Sequence, residues 1–209
     1  MGGLSLAADA GPAYDTGRAS IVVRTYTHAD SEARMPTARR TASAILRRAG
    51  IEIAWLNCSL GVEVTEPSAD CRQSVRWNEV VVRIVPVRTV DNRRHVETLG
   101  FALIDRDTGG GSLATVYADR VELMAHKGGV DAAELLGRAM AHEIGHLLLG
   151  TSQHASQGLM RASWSSADLR RNLALDWLFV GKEGEAMRRG IASRYARSGQ
   201  AGLRISGLS

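Results

Sequence analysis

Two histidines and a glutamate near residue 145 have the types and the spacing needed to bind a metal ion. His142 and His146 are four residues apart in the stretch HEIGHLLLG. On a helix, both would project from one face about 5.4 Å apart, so their imidazole nitrogens could bind one cation. Glu143 follows the first histidine, which places its carboxylate beside the cation rather than on it. There it could accept a proton from a water molecule.

The residues that flank this motif predict a buried helix to carry it. Asp131 can cap the helix N-terminus, with Glu134 three residues later in a box-like pairing. The two histidines continue the face that Leu135 and Ala139 begin, at spacings of four, three and four. Gly150 follows the last periodic residue and can end the helix, because glycine enters the left-handed conformation without a steric penalty. The metal site is therefore expected to be partly buried, as tight binding requires.

Length and composition favour a globular protein without a membrane span. The chain has 209 residues, of which 44% are hydrophobic, enough for one domain or for two lobes around a cleft. It contains no apolar run of 18 residues, so no spanning helix is predicted. The net charge is +4, which is more typical of a solvated basic face than of a binding surface.

A cluster of arginines near the C-terminus raises the alternative of nucleic-acid binding. The cluster comprises Arg188, Arg189, Arg194 and Arg197. No aromatic residues are interleaved in the way that base stacking would need, so the case depends on charge alone. We therefore predict no nucleic-acid partner.

The two cysteines and the N-terminus bear on the cellular compartment. Cys58 and Cys71 are thirteen residues apart and could close a disulfide loop that contributes about 3 kcal/mol, which would imply an oxidising compartment. Free thiols are the alternative. Residues 1–19 lack periodicity and are predicted to be mobile, and LSLAADA within them is similar to the end of a secretory signal. An exported or extracellular protein is expected.

Hydrophobic patterning predicts a mixed α/β protein. The predicted strands are Ser20–Tyr26, Ile51–Asn57, Glu79–Val87, Leu99–Ile104 and Ala114–Leu123, and the predicted helices are one from Pro36 to Gly50, the metal-binding helix, one from Ser165 to about Val180, and Glu183–Arg197. The Val- and Ile-rich strand from Glu79 is expected at the centre of the sheet, because it reads as buried on both faces. We expect residues 20–150 to form a sheet-and-helix subdomain and 151–197 a second subdomain, with a flexible tail at 198–209.

The order of these elements, with HEIGH, a glycine, a third histidine and a methionine, resembles the metzincin clan of zinc metallopeptidases. Its matrixin-like and archaemetzincin-like bacterial members are the most similar. The likeness covers roughly residues 20 to 180, and only 142–160 is specific. The resemblance implies an α/β (α+β) fold: a twisted mixed five-stranded sheet with two main helices, then a mainly helical C-terminal subdomain across an active-site cleft.

The resemblance also implies roles for individual residues. Carried over by position, His142 and His146 are zinc ligands, Glu143 is the general base, and Met160 forms the turn beneath the metal. Methionine also fills gaps in many protein cores, so Met160 has a purely structural alternative. One catalytic zinc ion is implied.

The third ligand is where this chain departs from the clan. The clan's string is H-E-x-x-H-x-x-G-x-x-H, whereas here Gly150 follows His146 by four residues and His154 follows Gly150 by four. A wider turn could still return His154 to the metal, and we predict it as the third ligand. His126 and Asp168 are the alternatives, although such residues more often lie at the surface or cap a helix.

The expected activity is hydrolysis of peptide bonds by a monomeric endopeptidase. Zinc would activate a water molecule, and Glu143 would accept its proton and deliver it to the leaving amine. The resemblance implies that the strand Leu99–Ile104 pairs with an extended peptide or protein substrate. Arg161 and Ala162 follow the methionine, so the tyrosine that some metzincins have near this turn is missing. The alternative is a catalytically degenerate zinc-binding domain that binds a peptide in the same cleft.

Overall fold

A computed structural model describes residues 19–59, 68–87, 98–105 and 110–205. Within these residues the strands are β1 (Ala19–Thr27), β2 (Ile51–Asn57), β3 (Glu79–Val85), β4 (Gly100–Asp105) and β5 (Gly110–Tyr117). They form one five-stranded sheet in the order β2-β1-β3-β5-β4. Pairing is parallel throughout except between β4 and β5, which are antiparallel. The predicted mixed α/β class and five-stranded sheet are confirmed.

The centre of the sheet is β3, as its near-continuous Val and Ile content predicted. Val80, Val82 and Ile84 are fully buried. The neighbours β1 and β5 run parallel to it on either side. Parallel strands of this kind need crossover connections that cover the sheet, and buried apolar side chains are the result. The antiparallel strand β4 is left at one edge.

The described helices are α1 (Met35–Arg48), α2 (Ala69–Arg72), α3 (Ala118–Gly128), α4 (Ala132–Leu149), α5 (Ser166–Arg171) and α6 (Gly181–Ile205), with 3-10 turns at Ala29–Arg34 and Ala174–Trp177. Helix α1 packs on α4, and α4 also crosses β4 and β5. The two helices approach closely at Gly137, where a Cβ would lie 2.5 Å from the carbonyl oxygen of Ala38. This contact holds α4 against α1.

The predicted fifth strand, Ala114–Leu123, is wrong in its second half. Strand β5 ends at Tyr117, and the chain turns at once into α3. In that helix Val121 and Ala125, four residues apart, are the buried side chains. A helical period of four and a strand period of two are hard to separate in a segment this short, and tertiary packing decided between them. Helix α3 ends at Gly129, which has a φ of 66°.

The predicted helix from Ser165 to about Val180 is also wrong beyond its first turns. The capping pair of Ser165 and Asp168 is present, but α5 ends at Arg171, and Asn172 adopts a left-handed conformation. Leu173 and Leu175, expected on the apolar side of that helix, are 53% and 79% exposed. The oxygen of the Asn172 side chain instead accepts a hydrogen bond from Arg138 of α4.

Both termini differ from expectation or lie outside the described residues. Helix α6 continues to Ile205, past the predicted end at Arg197 and into the segment expected to be a flexible tail. Residues 1–18, which include the signal-like stretch, and residues 206–209 are outside the described part. No helix among the described residues is long and apolar enough to cross a membrane.

The two cysteines are joined. Cys58, just after β2, forms a disulfide with Cys71 of α2, with Cα atoms 5.6 Å apart. The backbone after α2 is held by Arg24 of β1, which donates hydrogen bonds to the carbonyl oxygens of Gln73 and Ser74 and forms a buried ion pair with Glu79.

Candidate metal centre

Helix α4 presents the sequence-predicted chemical groups from a rigid, capped scaffold. The Asp131 carboxylate accepts a hydrogen bond from the Glu134 amide at 2.8 Å, and Gly150 ends the helix with a φ of 68°. His142, Glu143 and His146 are 8%, 5% and 5% exposed. Both predicted caps are confirmed. The three side chains therefore occupy a helix whose ends and buried face are all held in place.

Backbone hydrogen bonds set the protonation of the two helical histidines. Nδ1 of His142 donates to the carbonyl oxygen of Leu159 at 2.9 Å, and Nδ1 of His146 donates to that of Thr151 at 2.8 Å. A carbonyl oxygen only accepts, so each Nδ1 carries the proton and each Nε2 presents a lone pair. The two Nε2 atoms lie 3.0 Å apart. Two facing lone pairs repel each other unless a cation is shared between them.

His154 completes a group of three. The candidate ligand atoms of His142, His146 and His154 all lie within 4.8 Å of one another. Among the described residues, these three side chains form the one cluster that could hold a metal ion. The loop that carries His154 is closed by a hydrogen bond from the Ala155 amide to the Met160 carbonyl oxygen at 2.8 Å. The loop brings the histidine back although its spacing differs from the clan's.

Neither alternative third ligand joins this group. His126 is exposed on the last turn of α3. The Asp168 carboxylate accepts hydrogen bonds from the Ser165 amide and hydroxyl and from Arg171. Its oxygens are therefore engaged in the N-terminal capping box of α5.

The electrostatic environment favours neutral imidazoles. Burial is the main cause that lowers the pKa of His142 to about 3, and the neighbouring His146 lowers it further. Burial likewise lowers the pKa of His146 and of His154. Zinc binds neutral imidazole nitrogens, commonly three in a catalytic site. Three neutral imidazoles with two orphaned nitrogens 3.0 Å apart are a donor set that fits this ion.

Glu143 lies between α4 and the start of the edge strand. A Cβ on Gly100 of β4 would be 2.9 Å from its Oε1 atom, so the carboxyl group touches the strand backbone. Its Oε2 atom is buried and has no hydrogen-bond partner among the described residues. Burial raises the pKa of Glu143 to about 8. A carboxyl group with a pKa near neutrality and an oxygen left without a partner is suited to proton transfer.

Met160 lies under the helix at the level of the two histidines. It is buried, and a Cβ on Gly145 would be 2.9 Å from its Sδ atom. The same Cβ would meet the Phe179 ring at 2.6 Å. Only glycine at position 145 allows the chain beyond the site to pack this closely on α4.

Three residues that sequence reasoning missed support the ring of His142. Trp164 meets that ring edge-on at 5.6 Å between centroids, and Trp177 meets Trp164 in the same way at 5.4 Å. The Arg138 guanidinium lies 4.2 Å from the centre of the Trp177 ring, a favourable cation–π geometry. Arg138 was detectable in the sequence, because it is a charged residue on the buried face of α4, four positions before His142. Nothing local singled out the tryptophans.

A cleft of about 800 Å³ opens onto these side chains. One wall is formed by residues 98–102, at and before the start of β4, and another by residues 161–166. The floor includes His142, Glu143 and His146, and His154 also lines it. The candidate ligands, the carboxyl group and the edge strand therefore share one solvent-accessible space.

Comparisons with known proteins show the fold. No family model matches this sequence, and no curated protein matches it. Archaemetzincin from Methanopyrus kandleri is similar in structure, with a TM-score of 0.50 and 13% identity over 84% of this chain and 97% of that one. A zinc-dependent peptidase from Methanocorpusculum labreanum has a TM-score of 0.51 and 15% identity over 79% and 99%. The chain shares the fold of these two proteins.

Proposed function

We propose that this protein is a zinc-dependent peptidase, and more narrowly an endopeptidase, that binds one zinc ion through His142, His146 and His154. The observation that carries the proposal is the pair of Nε2 atoms 3.0 Å apart, each left without a proton because its ring donates through Nδ1 to a backbone carbonyl. The fold shared with a zinc-dependent peptidase supports the same assignment.

The chain's own residues supply orientation and proton transfer. Zinc, when bound, supplies Lewis acidity, which makes water more acidic and polarises a peptide carbonyl. The carbonyl oxygens of Leu159 and Thr151 hold the two helical imidazoles in one tautomer and one orientation. Glu143 accepts the proton of the attacking water and returns it to the leaving amine, a role supported by its place in the cleft lining beside the two helical histidines.

The edge strand supplies a binding surface for an extended substrate. Among the described residues β4 pairs with β5 on one side, and no described strand pairs with its other edge, which suits a peptide backbone. Residues 99–102 line the cleft next to Glu143. We propose that the substrate runs along this edge, between the subdomains expected at 20–150 and 151–197. Pairing along the peptide backbone favours cleavage within a chain rather than at its end.

The decisive experiment combines zinc content with peptide cleavage. Purified protein is expected to contain about one zinc per chain by mass spectrometry of the metal, and to cleave members of a mixed library of extended peptides. Glu143→Gln should keep the zinc and lose turnover by about 10²-fold or more, because the general base is gone. Glu185→Gln, on an exposed turn of α6 outside the cleft lining, is the matched control and should behave as wild type. Full activity of Glu143→Gln would rule out this mechanism.

The same experiment separates the proposal from its alternative. The widened spacing between His146 and His154 motivates a zinc-binding domain that retains peptides without cleaving them. Zinc in the wild-type protein together with no cleavage of any library member, but retention of some on immobilised protein, would favour that binder.

A further inference from the structure

Helix α3 turns one continuous face toward the cleft. Arg120, Leu123, Met124 and Lys127 all line it. Their spacing of three, one and three residues is that of a single helical face. Arg120 and Leu123 lie in the segment that was predicted as a strand, and Met124 and Lys127 follow it, so all four share one face only because the chain here is a helix.

The face is apolar in its middle and cationic at both ends. Leu123 is 51% exposed and lies in the lining of the cleft, which leaves it available to an apolar portion of a ligand. Lys127 is also exposed, and its ammonium group makes no hydrogen bond or ion pair with the residues that the structure describes. Arg120 is held in place by a hydrogen bond to the Thr98 carbonyl oxygen at 2.8 Å.

The cleft wall formed by residues 161–166 adds a third cation. Arg161 also lines the cleft, and its guanidinium donates to the Gly158 carbonyl oxygen and lies 3.5 Å from Asp168. Among the described residues that line this cleft, Glu143 is the one with an acidic side chain. Arg161 is balanced by its ion pair with Asp168, whereas Lys127 has no acidic partner among the described residues, and Arg120 lies on the same helix face as Lys127. Basic side chains outnumber acidic ones in the described lining of the cleft, so the potential there favours an anionic group.

We propose that the cleft selects peptides that carry a carboxylate, held by Lys127 with Arg120 and Arg161 adding to the field, while the stem of the acidic residue packs on Leu123. This inference deepens the proposed function, because it names the substrate class of the same site. Two sources share the chemistry: a Glu or Asp side chain within the peptide, and the carboxylate at its C-terminus. Lys127 is the residue with the greatest freedom to reach the ligand, since the two arginines already hold backbone carbonyls.

The test measures binding and cleavage separately. The probes are extended peptides in which one Glu, the only charged side chain, is moved along the sequence. Each has a Gln counterpart, and each is made with a free or an amidated C-terminus. They are titrated against zinc-loaded Glu143→Gln protein by fluorescence anisotropy. We expect the best Glu peptide to bind about five- to tenfold more tightly than its Gln partner at low salt, and the difference to shrink in high salt. If the free C-terminus is the recognised group, amidation will weaken binding and the position of the Glu will not change it.

A charge reversal makes the test independent of folding. In the Glu143→Gln background, Lys127→Glu should reverse the preference, so that peptides with Lys at the same position bind more tightly than those with Glu. The matched control is Lys182→Glu, which changes the chain's other lysine, on α6 and outside the cleft lining. This control should keep the original preference. A reversal of preference cannot arise from partial unfolding.

The outcomes distinguish this inference from the proposed function. Equal binding of Glu, Gln and C-terminally amidated peptides, or no binding of any of them, would overturn the inference, even if wild-type protein cleaves peptides. A carboxylate preference that Lys127→Glu reverses would support it, even if no peptide is cleaved.

Discussion

The two parts of the candidate metal centre are built in different ways. Helix α4 holds two histidines in a capped, fully packed segment, where the helical period alone puts both imidazoles on one face. The loop from Thr151 to Met160 holds the third histidine on an exposed turn, closed by few backbone hydrogen bonds. A ligand on the helix is positioned by local geometry, and a ligand on the loop depends on every contact that shapes the loop.

The loop nevertheless does more than supply His154. Its carbonyl groups at Thr151 and Leu159 accept the Nδ1 protons of both helical histidines. The helix therefore sets where those imidazoles lie, and the loop sets which nitrogen of each faces the site. The comparison teaches that a rigid element and an irregular one can be equally necessary to a site, and each of the following predictions tests one side of it.

The largest effect is expected from removing a ligand. His146→Ala takes away a nitrogen that the helix holds in place, and it should weaken zinc binding by more than about a hundredfold. His154→Ala removes a more exposed ligand from the loop and should weaken zinc binding by a smaller factor. Competition for zinc with a fluorescent chelator measures both constants. A larger loss for His154→Ala would show that the loop, rather than the helix, dominates the affinity.

A smaller effect is expected from straining the loop at Gly158. Its φ is 72°, and a Cβ there would lie 2.7 Å from the Leu178 carbonyl oxygen. Gly158→Ala should cost about 2 kcal/mol or more of unfolding free energy. It should also weaken zinc binding, because the carbonyl of the next residue orients His142.

Gly129→Ala is the matched control for that strain. Its φ is 66°, but nothing lies within 4 Å of the added Cβ. It should cost about 1 kcal/mol, from the backbone conformation alone, and leave zinc binding unchanged. Chemical unfolding and chelator competition measure both variants. Equal zinc affinities for the two variants would show that the conformation of the loop at Gly158 does not affect zinc binding.

The smallest effect concerns the cap of α5, which follows the loop. Hydrogen bonds from Ser165, helped by Arg161 and Arg171, lower the pKa of Asp168 from 3.8 to about 2. A carboxyl group with a lowered pKa stabilises the folded state above its unfolded pKa, and this contribution is lost as pH falls through the folded value.

Asp168→Asn should therefore cost about 1 kcal/mol near neutral pH. The difference from wild type should shrink between pH 4 and pH 2. Urea unfolding of zinc-free protein across that range is the measurement. A difference that does not change with pH would show that the carboxylate charge adds nothing to the cap.

Prediction from sequence succeeded where structure is local. Strand β2 has the predicted bounds, and helix α4 begins after Asp131 and ends before Gly150 as its caps indicated. It failed where a short apolar segment fits two periods. Val121 and Leu123 are two residues apart, as on one face of a strand, yet residues 118–123 belong to α3, because burying Val121 and Ala125 against the core needs a helix. The opposite error concerns Leu173 and Leu175, whose apolar pattern predicted the buried side of a helix. Both side chains are instead exposed, beyond the end of α5.

By itself the sequence determined the helix that carries two of the proposed ligands, because a four-residue spacing, two caps and an apolar face all act within one short stretch of chain. Only the tertiary structure decided which third side chain joins the two histidines, which nitrogens face each other, and which cations surround the cleft. Those outcomes depend on the assembly of segments far apart in the chain, such as Leu159 on His142, Trp164 on the same ring, and Lys127 with Arg161 in one cleft lining. No local pattern encodes such contacts, because they exist only when the sheet and its helices are assembled.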